Sequence, residues 1–486
     1  MAQFLTEDAD KSAVDSNEKE QETQTQNIYD IVNRISNNIR INFGVENQYN
    51  RMFFTACALV AQRYGAMLES LKDSDFSMLN DKIISTINKA LEDSKQQTMY
   101  LHSLKEVYQN IVFNCTKNQK AINAFIDDVC TIFNYVNSNV WRGEDVMGIF
   151  FNEFNRYKKK SEAGQVFTPE HITSFMYRLI NVTQNDYIGD FTCGSGAFLV
   201  KSMANMMREA GGYDTDKAKE IRKSHLFGIE FDKEVYALAC VNMLMHKDGE
   251  INIEHNDMRT ASACEWIKSN PITKVLMNPP YENKYGCMDI VENVLNSVNA
   301  GTDCAFILPD KKLEKAPKSQ IKRIIEKHTL TKIIKLPEPL FFGVSVTTSI
   351  FVFKTGKPQN GKEIFGCYIE DDGLETVKNH GRQDIKHKWK AIEDYWIDSI
   401  SKLRDTKYNT AQWINPKEHL SYQMPEKPFE ISEEDFKKTA MDYICFKKGI
   451  DTKAFGEKLL NAALYGSEVS SDDTGVNIKI GGGKDD

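Results

Sequence analysis

Residues 187–200 read YIGDFTCGSGAFLV, and this stretch decides the fold of the chain. Its apolar start predicts a strand, Gly194 and Gly196 predict a tight turn, and the run that follows predicts a helix. Such a turn brings the backbone close to a ligand at a helix start, which suits a dinucleotide or a nucleoside. Leu199 replaces the third glycine of the dinucleotide motif, and Asp190 suits an amine-bearing ligand better than a pyrophosphate.

Carboxylates follow the next two predicted strands. The run 226–230 ends at Glu230, whose carboxylate can accept hydrogen bonds from both hydroxyls of a ribose. The run 251–255 leads to Asp257, which can accept a hydrogen bond from an adenine amine. The carboxyl ends of parallel strands meet at one edge of a sheet, so both acids are expected along one nucleoside site. The alternative, an acid at a helix start, fits Asp232 better than Glu230.

Asn278, Pro279, Pro280 and Tyr281 directly follow the apolar run 273–277. The proline pair ends the strand, because each ring removes a hydrogen-bond donor and fixes φ. An exocyclic amine is a poor nucleophile, and two acceptors that bind its N–H groups draw it towards a reactive geometry. Asn278 can supply its side-chain oxygen and Pro279 its carbonyl, while Tyr281 offers a ring on which an extruded base can stack. A surface turn is the alternative interpretation.

In this order, the segments resemble the S-adenosylmethionine motifs and the catalytic motif of amino-methylating DNA methyltransferases. Phe167-Thr168-Pro169, ahead of the glycine turn, is similar to the segment that caps the methionine end of the cofactor in modification subunits of type I restriction-modification systems. Thr168 also fits a helix N-cap, with Pro169 at the first helical position.

The resemblance implies S-adenosylmethionine as cofactor, no metal, and catalytic roles for Asn278, Pro279, Pro280 and Tyr281. The cofactor-binding residues that it implies are Phe167, Thr168, Pro169, Asp190, Thr192, Gly194, Ser195, Gly196, Glu230 and Asp257.

The fold class that the resemblance implies is α/β, with the Rossmann-like, seven-stranded, mostly parallel sheet of class I S-adenosylmethionine-dependent methyltransferases. The apolar runs 304–309, 330–336 and 348–353 independently predict three further strands. The linker between the last two is too short for a crossover helix, so these strands are expected to pair antiparallel.

The 486 residues, 41% of them hydrophobic, allow two or three domains. The expected division is a disordered N-terminus over 1–25, a helical N-terminal domain over 26–160, a methyltransferase catalytic domain with a trailing region over 161–425, C-terminal helices over 426–466 and a flexible tail over 467–486.

Composition limits the class of protein. No apolar run is long enough to span a membrane and the polar N-terminus is unlike a signal peptide, so a cytoplasmic location is predicted. Ten cysteines without a Cys-x-x-Cys pair indicate neither a disulfide framework nor a zinc site. The net charge is −8, but residues 311–335 hold nine Lys or Arg against two acids, a patch that either binds phosphates or is a solvated helix face.

The motifs, and the family that they resemble, imply an enzyme that methylates the N6 amine of a flipped adenine in double-stranded DNA. The resemblance implies a separate specificity subunit and leaves a restriction subunit open. The acidic charge, and the roughly 130 residues after Lys354, favour such a hetero-oligomer. Three alternatives stay open: a stand-alone methyltransferase with its own recognition region, a protein glutamine methyltransferase, which uses the same loop, and a non-catalytic nucleoside-binding scaffold.

Overall fold

The computed structural model describes residues 27–92, 98–114, 117–136, 168–245, 252–282, 286–338, 340, 346–377, 381–405, 407–425, 433–451, 453–457, 460, 468–472 and 475–479. The chain divides into two compact units, Met1–Gln423 and Met424–Asp486. The expected disordered N-terminus, residues 1–25, and the predicted cofactor residue Phe167 lie outside the described residues.

The first unit begins with a helical bundle. Its helices are α1 (27–42), α2 (Gln48–Arg63), α3 (Phe76–Glu92), α4 (Thr98–Gln109) and α5 (Gln119–Val136). The buried side chains of α1 recur at helical spacing, as Ile28, Val32, Ile35 and Ile39. Aromatic rings fill the centre of the bundle, where Phe54 stacks on Phe125 at 5.1 Å between ring centroids.

A nine-stranded sheet follows in the same unit. Its strands are β1 (Ile188–Asp190), β2 (Leu226–Glu230), β3 (Ile253–His255), β4 (Lys274–Met277), β5 (Asp303–Pro309), β6 (Thr329–Lys335), β7 (Thr348–Lys354), β8 (Ile364–Tyr368) and β11 (Gln412–Ile414). Their order in the sheet is β11-β8-β6-β7-β5-β4-β1-β2-β3. A separate hairpin pairs β9 (Glu375–Val377) with β10 (Gly381–Gln383).

The predicted fold class is confirmed and its strand count is corrected. Strands β1 to β7 form the expected mostly parallel core, and β7 runs antiparallel to both β5 and β6. Two strands extend this core: β8 pairs parallel with β6, and β11 pairs antiparallel with β8. An open strand edge leaves backbone N–H and C=O groups unpaired, and the added strands cover the edge that β6 would otherwise expose.

Helices cover the sheet. They are α6 (Glu170–Leu179), α7 (Ala197–Glu209), α8 (Asp216–Ser224), α9 (Lys233–Met245), α10 (Ala261–Lys268), α11 (Cys287–Ser297), α12 (Lys312–Lys315), α13 (Lys318–Lys327) and α14 (Trp389–Ser401).

Helix α9 joins the bundle to the sheet. Every residue of 235–245 is buried, and a helix that is apolar all round needs cover on every side. It packs on β2 and β3 on one side and on α2 and α4 on the other. The sequence analysis places a domain boundary near residue 160, whereas helices from both sides of that position pack within one compact unit.

The second unit contains α15 (Glu433–Lys447) and an antiparallel pairing of β12 (Glu468–Asp472) with β13 (Gly475–Lys479). This pairing lies in the range for which the sequence analysis expects a flexible tail. Val469, Val476 and Ile478 favour extended backbone, in agreement with this pairing. Over the described ranges, no helix is both long and apolar enough to cross a membrane.

Candidate active site

A cavity of about 620 Å³ lies where β1, β2, β3 and β4 end. Its volume falls within the roughly 300–1,000 Å³ of small-molecule sites. The predicted site residues that line it are Thr168, Asp190, Thr192, Gly194, Ser195, Glu230, Asp257, Asn278, Pro279, Pro280 and Tyr281. Two further predicted residues, Pro169 and Gly196, are described but are not among the lining residues.

The glycine turn after β1 is open on the ligand side. Gly194 and Gly196 have φ of +56° and +89°, a conformation that strains other residues, and a Cβ added at either would meet no atom within 4 Å. Asn242 of α9 fixes the turn, because its Nδ2 donates a hydrogen bond to the Ser195 carbonyl at 2.8 Å. The sequence analysis missed Asn242, although a lone amide within an apolar helix was a signal for it.

Glu230 connects the glycine turn to the start of α9. Its Oε2 accepts a hydrogen bond from the Gly194 N–H at 2.9 Å, and its Oε1 accepts one from the Asp232 N–H at 2.9 Å. Burial raises the pKa of Glu230 to about 6, although these backbone hydrogen bonds favour the charged form. The carboxylate is therefore fixed in place, facing the cavity, before any ligand arrives.

Buried polar atoms gather beside Glu230. Asp190 is 2% exposed, and burial raises the pKa of its carboxyl well above the ordinary value. Thr192 Oγ1 and Ser195 Oγ are buried and have no hydrogen-bond partner within the described part of the chain. Unsatisfied buried hydroxyls are uncommon in folded proteins, so two of them on one cavity wall indicate a place where a polar ligand would bind.

Asp257 is held by a neighbour that the sequence analysis did not consider. Both carboxylate oxygens accept hydrogen bonds from the Arg259 guanidinium, at 2.8 Å from Nε to Oδ1 and 2.6 Å from Nη2 to Oδ2. Hydrogen bonding to Arg259 lowers the pKa of Asp257. The guanidinium carbon also lies 5.7 Å from the ring centroid of Phe231, which is 61% exposed. Phe231 and Arg259 both line the cavity.

On the other side of the cavity, Asn278 Nδ2 donates a hydrogen bond to Thr168 Oγ1 at 3.0 Å. The N-cap interpretation of Thr168 is wrong: α6 begins at Glu170, and Pro169 occupies the cap position with ψ of 143°. A residue that precedes proline is disfavoured in helical conformation, which keeps Thr168 outside the helix. The Thr168 hydroxyl binds Asn278 instead of a helix N–H.

Two further contacts hold the Asn278–Tyr281 loop and the Thr168 segment. Lys312 Nζ donates a hydrogen bond to the Tyr281 carbonyl at 2.5 Å, and burial raises the pKa of the Tyr281 phenol well above its ordinary value. Helix α6, which follows Thr168, is held by α14 through an ion pair of 2.9 Å between Arg178 and the buried Glu393. Helix α14, in the trailing region of the catalytic domain, therefore holds in place the helix that follows Thr168.

The predicted basic patch is partly neutralised. Arg323 forms an ion pair with Glu292 at 2.7 Å, and the buried Lys335 pairs with Asp310 at 2.6 Å. Lys311, Lys315 and Lys318 are exposed and form no ion pair with any residue that the structure describes. These three lysines lie within six residues of Lys312, whose side chain contacts the Tyr281 carbonyl.

Tyr49 is another lining residue that the sequence analysis missed. It belongs to the first turn of α2, more than 100 residues before the other lining residues.

The described residues contain no group of three or more His, Cys, Asp or Glu side chains placed to hold a metal ion.

The chain resembles enzymes and subunits of restriction-modification systems. It is 29% identical over 328 residues to the type II restriction enzyme and methyltransferase RM.BcgI of Heyndrickxia coagulans, which covers 62% of this chain and 50% of that protein. It is 24% identical to the type I restriction enzyme EcoKI methylase subunit of Escherichia coli strain K12, over 54% of each chain. The chain thus spans about half the length of these relatives.

The fold is shared with the type I restriction-modification system methyltransferase subunit of Streptococcus thermophilus. The TM-score is 0.54 at 14% identity, and the match covers 81% of this chain and 96% of that one. The family model for N-6 DNA Methylase matches residues 143–297 and 290–450, which include the glycine turn, Glu230, Asp257 and the Asn278–Tyr281 loop, and the chain belongs to this family.

Proposed function

We propose that this chain transfers a methyl group from S-adenosylmethionine to the N6 amine of a flipped adenine in DNA, as the modification subunit of a restriction-modification system. One observation carries the proposal. The Asn278–Tyr281 loop, which suits an amine substrate, lines the same cavity as the glycine turn, Glu230 and Asp257, which suit a nucleoside. An amine acceptor and a nucleoside site at one sheet edge match a methyl transfer between two adenine-bearing molecules.

The lining residues fit the proposed cofactor. Glu230 offers a preoriented carboxylate to the ribose hydroxyls, while Thr192 Oγ1 and Ser195 Oγ are buried hydroxyls that a polar ligand would satisfy. The buried Asp190 suits the ammonium group at the amino-acid end of the molecule. The exposed Phe231 ring and the Asp257–Arg259 pair offer a flat apolar surface and polar atoms to an adenine. When bound, the cofactor supplies a methyl group that its sulfonium already activates.

The loop residues act on the substrate base. Thr168 binds the nitrogen end of the Asn278 amide, so the oxygen end faces away from Thr168, as an acceptor for the substrate amine requires. Pro279 adds a carbonyl acceptor, and the proline pair restricts the loop before the base arrives. Tyr281 supplies the stacking surface for a base removed from the duplex, and Lys312 fixes the backbone of that residue.

The exposed lysines are the proposed contact with the DNA backbone. Lys311, Lys315 and Lys318 are exposed and lie within six residues of Lys312, which contacts the loop that would receive the base, so we assign them to contacts with phosphates. Contacts to phosphates fix register but carry no sequence information. Site choice therefore needs a source of base contacts, which we assign to a separate specificity subunit.

Helix α15 is the proposed docking element for that partner. Its large apolar side chains are exposed, among them Phe436, Tyr443 and Phe446, the last at 82%. Exposed apolar patches of this kind mark interaction sites in soluble proteins. The relative in Escherichia coli is itself named as a methylase subunit, which supports an assembly with other chains.

The test is methylation of double-stranded DNA by the purified chain, read at base resolution, with and without a cognate specificity subunit. We expect the chain alone to bind S-adenosylmethionine in calorimetry but to methylate adenines slowly and at no defined site. The specificity subunit should restore both rate and site choice.

Two results would contradict the proposal in different ways. A chain that binds no S-adenosylmethionine, or that never forms N6-methyladenine even with the subunit, is not an adenine methyltransferase. A chain that methylates one defined sequence alone, at ordinary rate, is a stand-alone enzyme with its own recognition region.

A further inference from the structure

Tyr49 lines the cavity from outside the catalytic region. Every other described lining residue lies between Thr168 and Ile290, whereas Tyr49 lies in the first turn of α2. That turn is well defined, because the Asn47 side chain caps α2 by accepting a hydrogen bond from the Asn50 N–H at 3.1 Å. The position of Tyr49 is therefore set by the helix and not by a loose segment.

The packing of α2 fixes where the Tyr49 ring lies. Residues 51–61 of α2 are buried, and this helix packs on α9. Helix α9 begins at Lys233, three residues after Glu230, and Lys233 forms an ion pair with Glu106 of α4. The bundle is thus attached to the catalytic region at the helix start that follows Glu230.

The surroundings of Tyr49 are those of the nucleoside end of the cavity. Burial, together with the negative charges of Asp232, Glu234 and Glu230, raises the pKa of the Tyr49 phenol. The phenol therefore keeps its proton at physiological pH and can donate a hydrogen bond. A flat ring with a hydroxyl donor is well suited to pack on a nucleoside and to hydrogen-bond it.

We propose that Tyr49 is part of the nucleoside-binding side of the cavity, so that the N-terminal helices and the strand ends build the cofactor site together. This inference rests on the proposed function, because it takes the nucleoside to be that of S-adenosylmethionine. It assigns the helical bundle a role in cofactor binding that neither composition nor motif predicts.

The experiment is calorimetric titration of the full chain with S-adenosylmethionine and, separately, with adenosine. Tyr49→Ala should weaken both affinities about tenfold, the effect of losing a hydrogen bond together with ring packing. Tyr49→Phe keeps the ring and should weaken both by only about threefold. Tyr64→Ala is the control, because Tyr64 caps the opposite end of α2 and is not among the lining residues. It should leave both affinities unchanged.

The outcomes separate the inference from the proposed function. Unchanged affinities in both Tyr49 variants would overturn the inference alone, provided that the unsubstituted chain binds S-adenosylmethionine. An equal loss in Tyr64→Ala would also overturn it, since the effect would then come from the helix and not from the ring. If the unsubstituted chain binds neither ligand, the proposed function fails and the inference fails with it. Thermal unfolding of each unliganded variant checks that it is folded.

Discussion

Glu230 and Asn278, which lie on opposite sides of the cavity, are held by different kinds of contact. On the side that we propose binds the nucleoside, the nucleoside side, backbone N–H groups of Gly194 and Asp232 fix the Glu230 carboxylate. On the side that we propose holds the substrate base, the catalytic side, the Thr168 hydroxyl accepts a hydrogen bond from the Asn278 amide. The Lys312 ammonium group then fixes the Tyr281 backbone.

We expect substitutions on one side to change cofactor affinity and substitutions on the other to change turnover. Only a substitution to proline removes a backbone N–H, so the Glu230 carboxylate keeps its position through most single changes, and a change to Glu230 itself should alter affinity. The hydrogen bond between Thr168 and Asn278 can be removed by changing either side chain. Because Asn278 is proposed to bind the substrate amine, such a change should alter turnover. An interaction formed only during reaction raises the rate without tightening cofactor binding.

The largest effect is expected for Asn278→Ala. Removing a group that stabilises the transition state reduces turnover by about 10²- to 10³-fold, while S-adenosylmethionine affinity should stay near that of the unsubstituted chain. The measurement is single-turnover methyl transfer to DNA with the specificity subunit present, alongside calorimetry. Asn296→Ala is the matched control, because Asn296 is exposed on α11. Normal turnover in Asn278→Ala would contradict the assignment of turnover to the catalytic side and of affinity to the nucleoside side.

An effect of intermediate size is expected for Glu230. Glu230→Ala should weaken S-adenosylmethionine binding by about 1–3 kcal/mol with little change in the rate of bound complexes. In the unsubstituted chain, affinity should fall as the pH drops below about 6, because protonation removes the acceptor of the ribose hydroxyls. Glu230→Gln should bind more weakly at neutral pH and lose this inflection. An unchanged pH profile in Glu230→Gln would assign the titration to another group, such as Asp190.

Stability of the unliganded chain should change with pH in the opposite direction. The pKa of Glu230 rises from 4.5 to about 6 on folding. The stability contribution of its protonated form is therefore complete below 4.5 and is lost as the pH rises through 6. The shift corresponds to about 2 kcal/mol, which urea unfolding of Glu230→Gln beside the unsubstituted chain can detect. Affinity and stability that fell together on acidification would contradict this assignment.

The edge of the sheet that carries the candidate site could be predicted from sequence, because strand ends carry local signals. The proline pair ends β4 at Met277, and apolar runs gave the strands that meet at the same edge. Parallel pairing then brings Asp190, Glu230 and Asn278 to one cavity without further information. The antiparallel β7 followed from the length of one linker.

Contacts between distant segments could not be predicted in this way. Tyr49 reaches the site only because α9 packs between the sheet and the bundle, and no local pattern encodes that packing. Strand β8 carries an apolar run, IFGCY, that the sequence analysis did not identify as a strand, and the three residues of β11 are too few for a local pattern. The sequence left two roles open for Thr168, a helix N-cap and part of the segment that caps the cofactor. The start of α6 at Glu170 excludes the N-cap role.

The smallest effect, and the sharpest test of the boundary between the two sides, concerns Thr168. Its resemblance to a cofactor-capping segment predicts an effect on affinity, whereas its hydrogen bond to Asn278 predicts an effect on turnover. Thr168→Val keeps the shape of the side chain and removes the hydroxyl. A lost neutral hydrogen bond is worth about 0.5–1.5 kcal/mol, so turnover should fall about two- to twelvefold because the Asn278 amide loses its preferred orientation. Thr168→Ser, which retains the hydroxyl, should recover most of that loss. If Thr168→Val instead weakens S-adenosylmethionine binding and leaves turnover unchanged, Thr168 belongs to the nucleoside side, and Asn278 must be oriented by other contacts.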